Sequence, residues 1–166
     1  TRQLVNIDKG VTYTRFVRKG IIQVYGEGSE FEIGKGVVLH ESDKDQATII
    51  TSGIMVDESL KAYEALQAEG ISVRVIDMFT WKPLDEELVV KRQGDRCHRH
   101  RREPQRHLRP GSVVANCLSR NAPTVQEFVG VQDQFGQVGP QDFLMDEYGL
   151  RAANIVAAVK KAIARK

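Results

Sequence analysis

The chain has few cysteines and no long apolar run. Its 166 residues include only two cysteines, Cys97 and Cys117, which is too few for a small secreted domain built on disulfides. No stretch reaches the roughly 18 consecutive apolar residues of a membrane-spanning helix. The first residues, TRQLVNIDKG, include neither an apolar leader nor an initiator methionine. We therefore expect a cytoplasmic fragment that does not bind membranes.

Basic residues are fewer than acidic ones over most of the chain, and one segment holds a third of all the Lys and Arg residues. Lys91–Pro110, KRQGDRCHRHRREPQRHLRP, has eight Lys or Arg residues and two acidic ones, a balance of +6. The formal net charge of the chain is +2, so the remainder carries −4. This segment also holds three of the four histidines and almost nothing apolar. We call it the basic segment.

Outside the basic segment, strand and helix patterns alternate. Ala47–Thr51 is a continuous apolar run that ends at Ser52-Gly53, as in a strand buried on both faces. The pattern predicts strands at 35–41, 47–51, 71–78 and 125–131, and helices at 54–69, 83–90, 112–119, 141–148 and 151–166. A further strand is expected where the basic segment lies. This order predicts an α/β fold in three layers, with a mostly parallel five-stranded sheet and helices on both faces.

Several motifs follow one another in order on the two sides of the basic segment. Gly53–Lys91 contains a predicted helix after Ser-Gly, the predicted strand Val73–Asp77 and the sequence Lys82-Pro83-Leu84-Asp85, and GVQDQFGQVG lies downstream at Gly130–Gly139. Together these motifs resemble the C-terminal domain of transketolase, in which the downstream motif is a strand followed by an FGxSG turn; here Val138 takes the place of serine. Related thiamine enzymes, namely 1-deoxyxylulose-5-phosphate synthases and 2-oxoacid dehydrogenase β subunits, share this region more distantly and stay as alternatives.

The resemblance implies a part of a larger transferase. Residues 1–34 would be the end of the pyrimidine-binding domain and a linker, and residues 35–166 the C-terminal domain. The complete enzyme would use thiamine diphosphate and Mg²⁺ to move a two-carbon ketol unit between sugar phosphates, as in the pentose phosphate pathway. The cofactor motifs are absent from this sequence. We therefore expect an inactive fragment, without catalytic, cofactor or metal residues, that contacts N-terminal transketolase domains or a separate subunit and forms a homodimer contact.

Two arginines in YTRFVR are candidate substrate contacts. In the family, an arginine at the position matching Arg18 binds the sugar-phosphate substrate, and the planar guanidinium suits phosphate oxygens. The resemblance therefore implies Arg18 as the substrate-binding residue, with Arg15 as the second candidate. On the sequence alone, without the resemblance, the favoured interpretation is that both are solvated surface arginines.

In the family, the region that matches the basic segment is a strand with the pattern TGAIVTxE, followed by a turn and helix with the pattern GGLGSAV. Only Gly111–Val114 matches that pattern. When the possible codons of Arg92–Gly111 are read one nucleotide later, they allow VKATGAIVTAENHNVI, which restores the strand. We hypothesise two compensating single-nucleotide shifts around residues 92–110, in the gene or in its reported sequence.

Two other interpretations of the basic segment are weaker. Cys97, His98, His100 and His107 lack the paired spacing of structural zinc sites. The arginines could make the chain a stand-alone α/β module that binds a polyanion such as nucleic acid. The shifted reading frame explains the same residues without either function, so we expect no nucleic-acid partner.

Overall fold

The computed structural model describes residues 2–17, 20–91 and 110–166. Within these ranges no helix combines the length and the apolar character needed to cross a membrane. The elements in chain order are α1 (Arg2–Val5), β1 (Val37–His40), β2 (Ala47–Thr51), α2 (Met55–Ala68), β3 (Val73–Asp77), α3 (Glu86–Val90), α4 (Pro110–Asn121), α5 (Gln141–Glu147) and α6 (Ala152–Ala164).

The strands form one sheet in the order β1-β3-β2. β2 and β3 are parallel, with Ile49 opposite Val75, whereas β1 and β3 are antiparallel, with Val38 opposite Ile76. All five residues of β3 are buried, as expected of a central strand covered on both faces. The parallel β2-α2-β3 unit therefore forms the centre of the fold.

Helices cover both faces of the sheet. Successive residues of β3 point to opposite faces, so β3 contributes side chains to the core on each side. Val73 and Val75 join one cluster with residues of α2 and α6, while Ile76 joins another with residues of α3 and α4. The first cluster comprises Ile49, Ala62, Leu66, Val73, Val75, Ile155 and Val159, and the second Ile76, Met78, Val89, Val114 and Cys117. The predicted α/β architecture with helices on both faces is thus present.

The described residues form three strands instead of the predicted five, and the sheet is mixed because β1 is antiparallel. The strand expected within the basic segment falls on residues 92–109, outside the described ranges. Val125–Val131, predicted to be a strand, is neither strand nor helix. A strand requires a hydrogen-bonded neighbour, and none of the three described strands pairs with Val125–Val131.

Candidate functional site

The two predicted substrate residues are not brought together in a site. Arg18 lies outside the described residues, and Arg15 is an exposed side chain in a stretch without helix or strand. Their role in substrate binding stays a prediction. The four candidate zinc ligands of the basic segment, Cys97, His98, His100 and His107, also fall outside the described residues. In the ranges that are described, no three His, Cys, Asp or Glu side chains are grouped to hold a metal ion.

The most site-like feature is a cavity of about 390 Å³ beside the carboxyl ends of β2 and β3. Its wall is formed in part by Asp77, the last residue of β3, and by the turn at Gly53 that leads from β2 into α2. Gly53 has φ +59°, a backbone conformation that favours glycine. In α/β sheets, ligands commonly bind at this edge of parallel strands. We call this space the strand-end cavity.

Asp77 is the buried polar group of the strand-end cavity. Its side chain is 5% exposed, and the Tyr25 hydroxyl donates a hydrogen bond of 2.7 Å to Oδ2. Among the described residues Oδ1 has no hydrogen-bond partner. Burial raises the pKa of Asp77, although the hydrogen bond from Tyr25 works in the opposite direction. Burial, together with the neighbouring Asp77, also raises the pKa of Tyr25.

Aromatic contacts position Tyr25 against the sheet. Its ring meets that of Phe31 edge-on at 4.8 Å, and Phe31 meets Phe79 edge-on at 5.3 Å. Edge-to-face pairs at these separations are favourable. The chain that precedes β1 is therefore attached to the α/β core through this row of rings and through the Tyr25–Asp77 hydrogen bond.

A second set of charges joins α2 to α6 at the same cavity. Glu58 of α2 is 5% exposed, and its Oε2 accepts a 2.7 Å hydrogen bond from the backbone N–H of Ala152, the first residue of α6. Lys61 and Arg151 lie 3.2 and 3.7 Å from Oε1. The carboxylate thus caps a helix that has no side-chain cap from its own N-cap residue.

Sequence reasoning missed both carboxylates. One signal was available for Glu58, which shares a helix face with the fully buried Ala62 and Leu66 at steps of four residues. Asp77 follows four buried strand residues, but its partner Tyr25 lies 52 residues earlier. The strand-end cavity contains no nucleophile paired with a base and no metal cluster among the described residues, so its geometry does not form a catalytic centre.

Comparison with known proteins identifies the family. The profile of the family "Transketolase, C-terminal domain" matches residues 34–155. The chain belongs to this transketolase family. Its sequence is 37% identical over 160 residues to the 6-deoxy-6-sulfo-D-fructose transketolase subunit SqwH of Clostridium sp. (strain MSTE9), a match that covers 95% of the chain and 48% of that protein. Over 82 residues it is 38% identical to the transketolase of Mus musculus, covering 49% of the chain and 13% of the mouse protein.

A solved structure agrees with this assignment. The structure of a "Split gene transketolase, inactive beta4 tetramer" superposes with a TM-score of 0.71 at 36% sequence identity, covering 89% of this chain and 47% of the other. The resemblance read from Gly53–Lys91 and Gly130–Gly139 is thereby confirmed. The chain spans about half the length of the SqwH subunit and of the split-gene transketolase chain.

Proposed function

We propose that this chain is the C-terminal part of a transketolase that, when complete, transfers a two-carbon ketol unit between sugar phosphates. The family match over residues 34–155 carries this proposal. Similarity to a split-gene transketolase chain favours a parent enzyme that is divided between chains, with the remaining catalytic domains outside the residues of this chain. That split-gene chain forms an inactive tetramer, which agrees with the expectation that this chain alone has no turnover.

The sequence motifs that hold the cofactor in the family are absent from this chain, which supports a cofactor site in the partner domains. Among the described residues, no three His, Cys, Asp or Glu side chains are grouped to hold a metal ion. We assign thiamine diphosphate and Mg²⁺ to the partner domains and derive no catalytic step from this chain. Its role is to pack against those domains and to contribute to a homodimer contact.

Reconstitution tests the proposed function. The chain is mixed with the N-terminal transketolase subunit of the same genome, thiamine diphosphate and Mg²⁺, and turnover of ribose-5-phosphate with xylulose-5-phosphate is measured. We expect turnover from the mixture and none from either part. Because SqwH is named for 6-deoxy-6-sulfo-D-fructose, a second arm supplies that donor. A folded complex inactive with both donors would contradict the proposal.

We propose that Arg18 and, more weakly, Arg15 bind the anionic group of the sugar substrate in the complete enzyme. Support comes from the family resemblance and from the bidentate fit of a guanidinium to phosphate. In the reconstituted enzyme, Arg18→Ala is expected to raise KM about 10-fold or more, with Arg18→Lys in between. Lys9→Ala, an exposed cation in the same N-terminal stretch, is the control. An unchanged KM for Arg18→Ala would contradict the assignment.

We further propose that the natural protein has the five-stranded, mostly parallel sheet. The shifted reading VKATGAIVTAENHNVI would add a strand beside β2, and Val125–Val131 would pair with it. Two observations support this arrangement. Among described residues, β2 has a strand only on its β3 side, and Val129 already packs against the cluster that contains Ile49 of β2.

Thiol counting and peptide masses test the shifted frame. The shifted reading has no cysteine, so a fully denatured natural protein should contain one titratable thiol, from Cys117. Tryptic peptides should carry the masses of the shifted sequence. Two thiols, together with a peptide that contains Cys97 and His98, would show that the basic segment is physically present and would refute the restored strand.

A further inference from the structure

A stretch of the chain without helix or strand lies beside the carboxyl ends of β2 and β3. Residues 20–36 connect the N-terminal residues to β1. Gly20 and Ile21 line the strand-end cavity together with Asp77, the last residue of β3. Because no ladder of backbone hydrogen bonds holds this stretch, its position on the core depends on its side-chain contacts.

Among the described residues, Tyr25 provides the one hydrogen bond that joins residues 20–30 to the α/β core. Its hydroxyl donates to Oδ2 of Asp77 at 2.7 Å, and Asp77 is 5% exposed. The other side-chain hydrogen bonds of these residues, from Gln23 and Ser29, stay within the stretch. A hydrogen bond to a buried carboxyl group is shielded from water, so it holds its donor more firmly than an exposed one does.

The Tyr25 hydroxyl can be removed without removing the aromatic contacts beside it. Phe31 meets the rings of Tyr25 and Phe79 edge-on at 4.8 and 5.3 Å, and a phenylalanine at position 25 would keep the first of these contacts. Tyr25→Phe therefore separates the hydrogen bond from the apolar packing. It leaves the buried Asp77 carboxyl group without the donor to Oδ2.

We propose that Tyr25 is a positioning residue of the complete enzyme, which fixes residues 20–25 beside the strand ends through Asp77 and thereby sets the position of the substrate contact that precedes them. This inference rests on the proposed function, which assigns the anionic group of the sugar to Arg18. Arg18 lies outside the described residues; in sequence it precedes Gly20, which lines the cavity, by two positions. A displacement of about 1 Å can greatly weaken a binding contact, so Tyr25 can affect substrate binding without touching the substrate.

The test measures KM and kcat of the reconstituted enzyme for each sugar phosphate that gives turnover. We expect Tyr25→Phe to raise KM about 3- to 10-fold and to leave kcat within about twofold, because a contact made equally in the ground state and the transition state changes KM alone. The effect cannot exceed that of Arg18→Ala, through which it acts. As the control, Tyr63→Phe removes the same hydroxyl from α2, where the ring stacks on His40 at 4.0 Å, and should change KM less than about twofold.

Variants of Asp77 test the same hydrogen bond from the acceptor side. Asp77→Asn keeps an oxygen to which the Tyr25 hydroxyl can donate and should keep KM within about twofold, whereas Asp77→Ala should raise KM as Tyr25→Phe does. Combining Asp77→Ala with Tyr25→Phe should give no more than the larger single effect, because both changes remove one bond. A loss of stability common to both Asp77 variants would not produce this difference in KM, and circular dichroism confirms that each variant is folded.

Coupling to Arg18 distinguishes positioning from a general effect on the protein. In the Arg18→Ala background, Tyr25→Phe should leave KM unchanged within about twofold. If Tyr25→Phe leaves the wild-type KM unchanged, raises KM by the same factor in both backgrounds, or lowers kcat instead, the inference is wrong although the proposed function stands. An unchanged KM for Arg18→Ala overturns the substrate contact and this inference with it. A folded wild-type complex without turnover overturns the proposed function and the inference together.

Discussion

Glu58 should be a main determinant of stability because it caps a helix that lies 94 residues further along the chain. The carboxylate accepts the 2.7 Å hydrogen bond from the N–H of Ala152. The first turn of α6 contains no acidic residue, and Arg151 provides no side-chain cap. Glu58 is therefore the group that offsets the positive end of α6.

The loss in free energy of unfolding expected for Glu58→Ala depends on whether the two cations beside Glu58 keep another partner. Lys61 keeps Asp57 at 2.8 Å, and Arg151 keeps Asp146 at 2.6 Å, so neither cation is left alone. The loss comes mainly from the N–H of Ala152 and the helix end, about 2–3 kcal/mol in total. Glu58→Gln retains an acceptor without charge and should cost about 1 kcal/mol.

Urea unfolding followed by far-ultraviolet circular dichroism measures these changes. Glu64→Ala removes an exposed carboxylate from the same helix and should stay within about 0.5 kcal/mol of the wild type. In thermal unfolding, Glu58→Ala should lower Tm by roughly 4–12 °C. If Glu58→Ala is no less stable than Glu64→Ala, the capping role is wrong.

Three further predictions concern buried side chains. Leu66→Ala, at a fully buried position of α2, should lower the free energy of unfolding by about 3 kcal/mol in urea titrations, and a loss below about 1 kcal/mol would contradict this core. Burial raises the pKa of Asp77, so the folded protein binds the carboxyl proton of Asp77 more tightly than the unfolded chain does. The stability that this proton contributes is present at low pH and is lost as pH rises from about 3.8 through the folded-state pKa. Urea titrations from pH 3 to 8 should show that Asp77→Asn lacks this component; identical pH profiles would refute it. Burial also raises the pKa of the Cys117 thiol, so iodoacetamide should label it roughly 100-fold more slowly in the native protein than in denaturant, and equal rates would show that the thiol is accessible.

The helices and central strands were predictable because their patterns are local. The apolar run Ala47–Thr51 became β2, and the helical period over 54–69 became α2 at Met55–Ala68. Asp85, near the start of the second predicted helix, accepts a hydrogen bond from the N–H of Leu88 at 3.0 Å, as helix-start chemistry requires. Such signals depend on residues within a few positions of one another, so a single sequence contains them.

The number and direction of the strands and the cavity depend on distant partners. Val125–Val131 has a strand-like composition, but pairing decides whether it becomes a strand. The antiparallel direction of β1 is set by where it meets β3. Asp77 meets Tyr25 across 52 residues and Glu58 meets Ala152 across 94. No local period encodes these contacts, and therefore neither the strand-end cavity nor the cap of α6 was predicted.

The proposal that this chain is the C-terminal part of a transketolase is tested most directly by titrating the N-terminal subunit with the chain. With thiamine diphosphate, Mg²⁺ and both sugar phosphates present, activity is followed as the proportion of the chain increases. We predict that turnover rises from zero and reaches a plateau at a 1:1 ratio. Activity that stays at zero, although sedimentation shows a folded complex, would contradict the account.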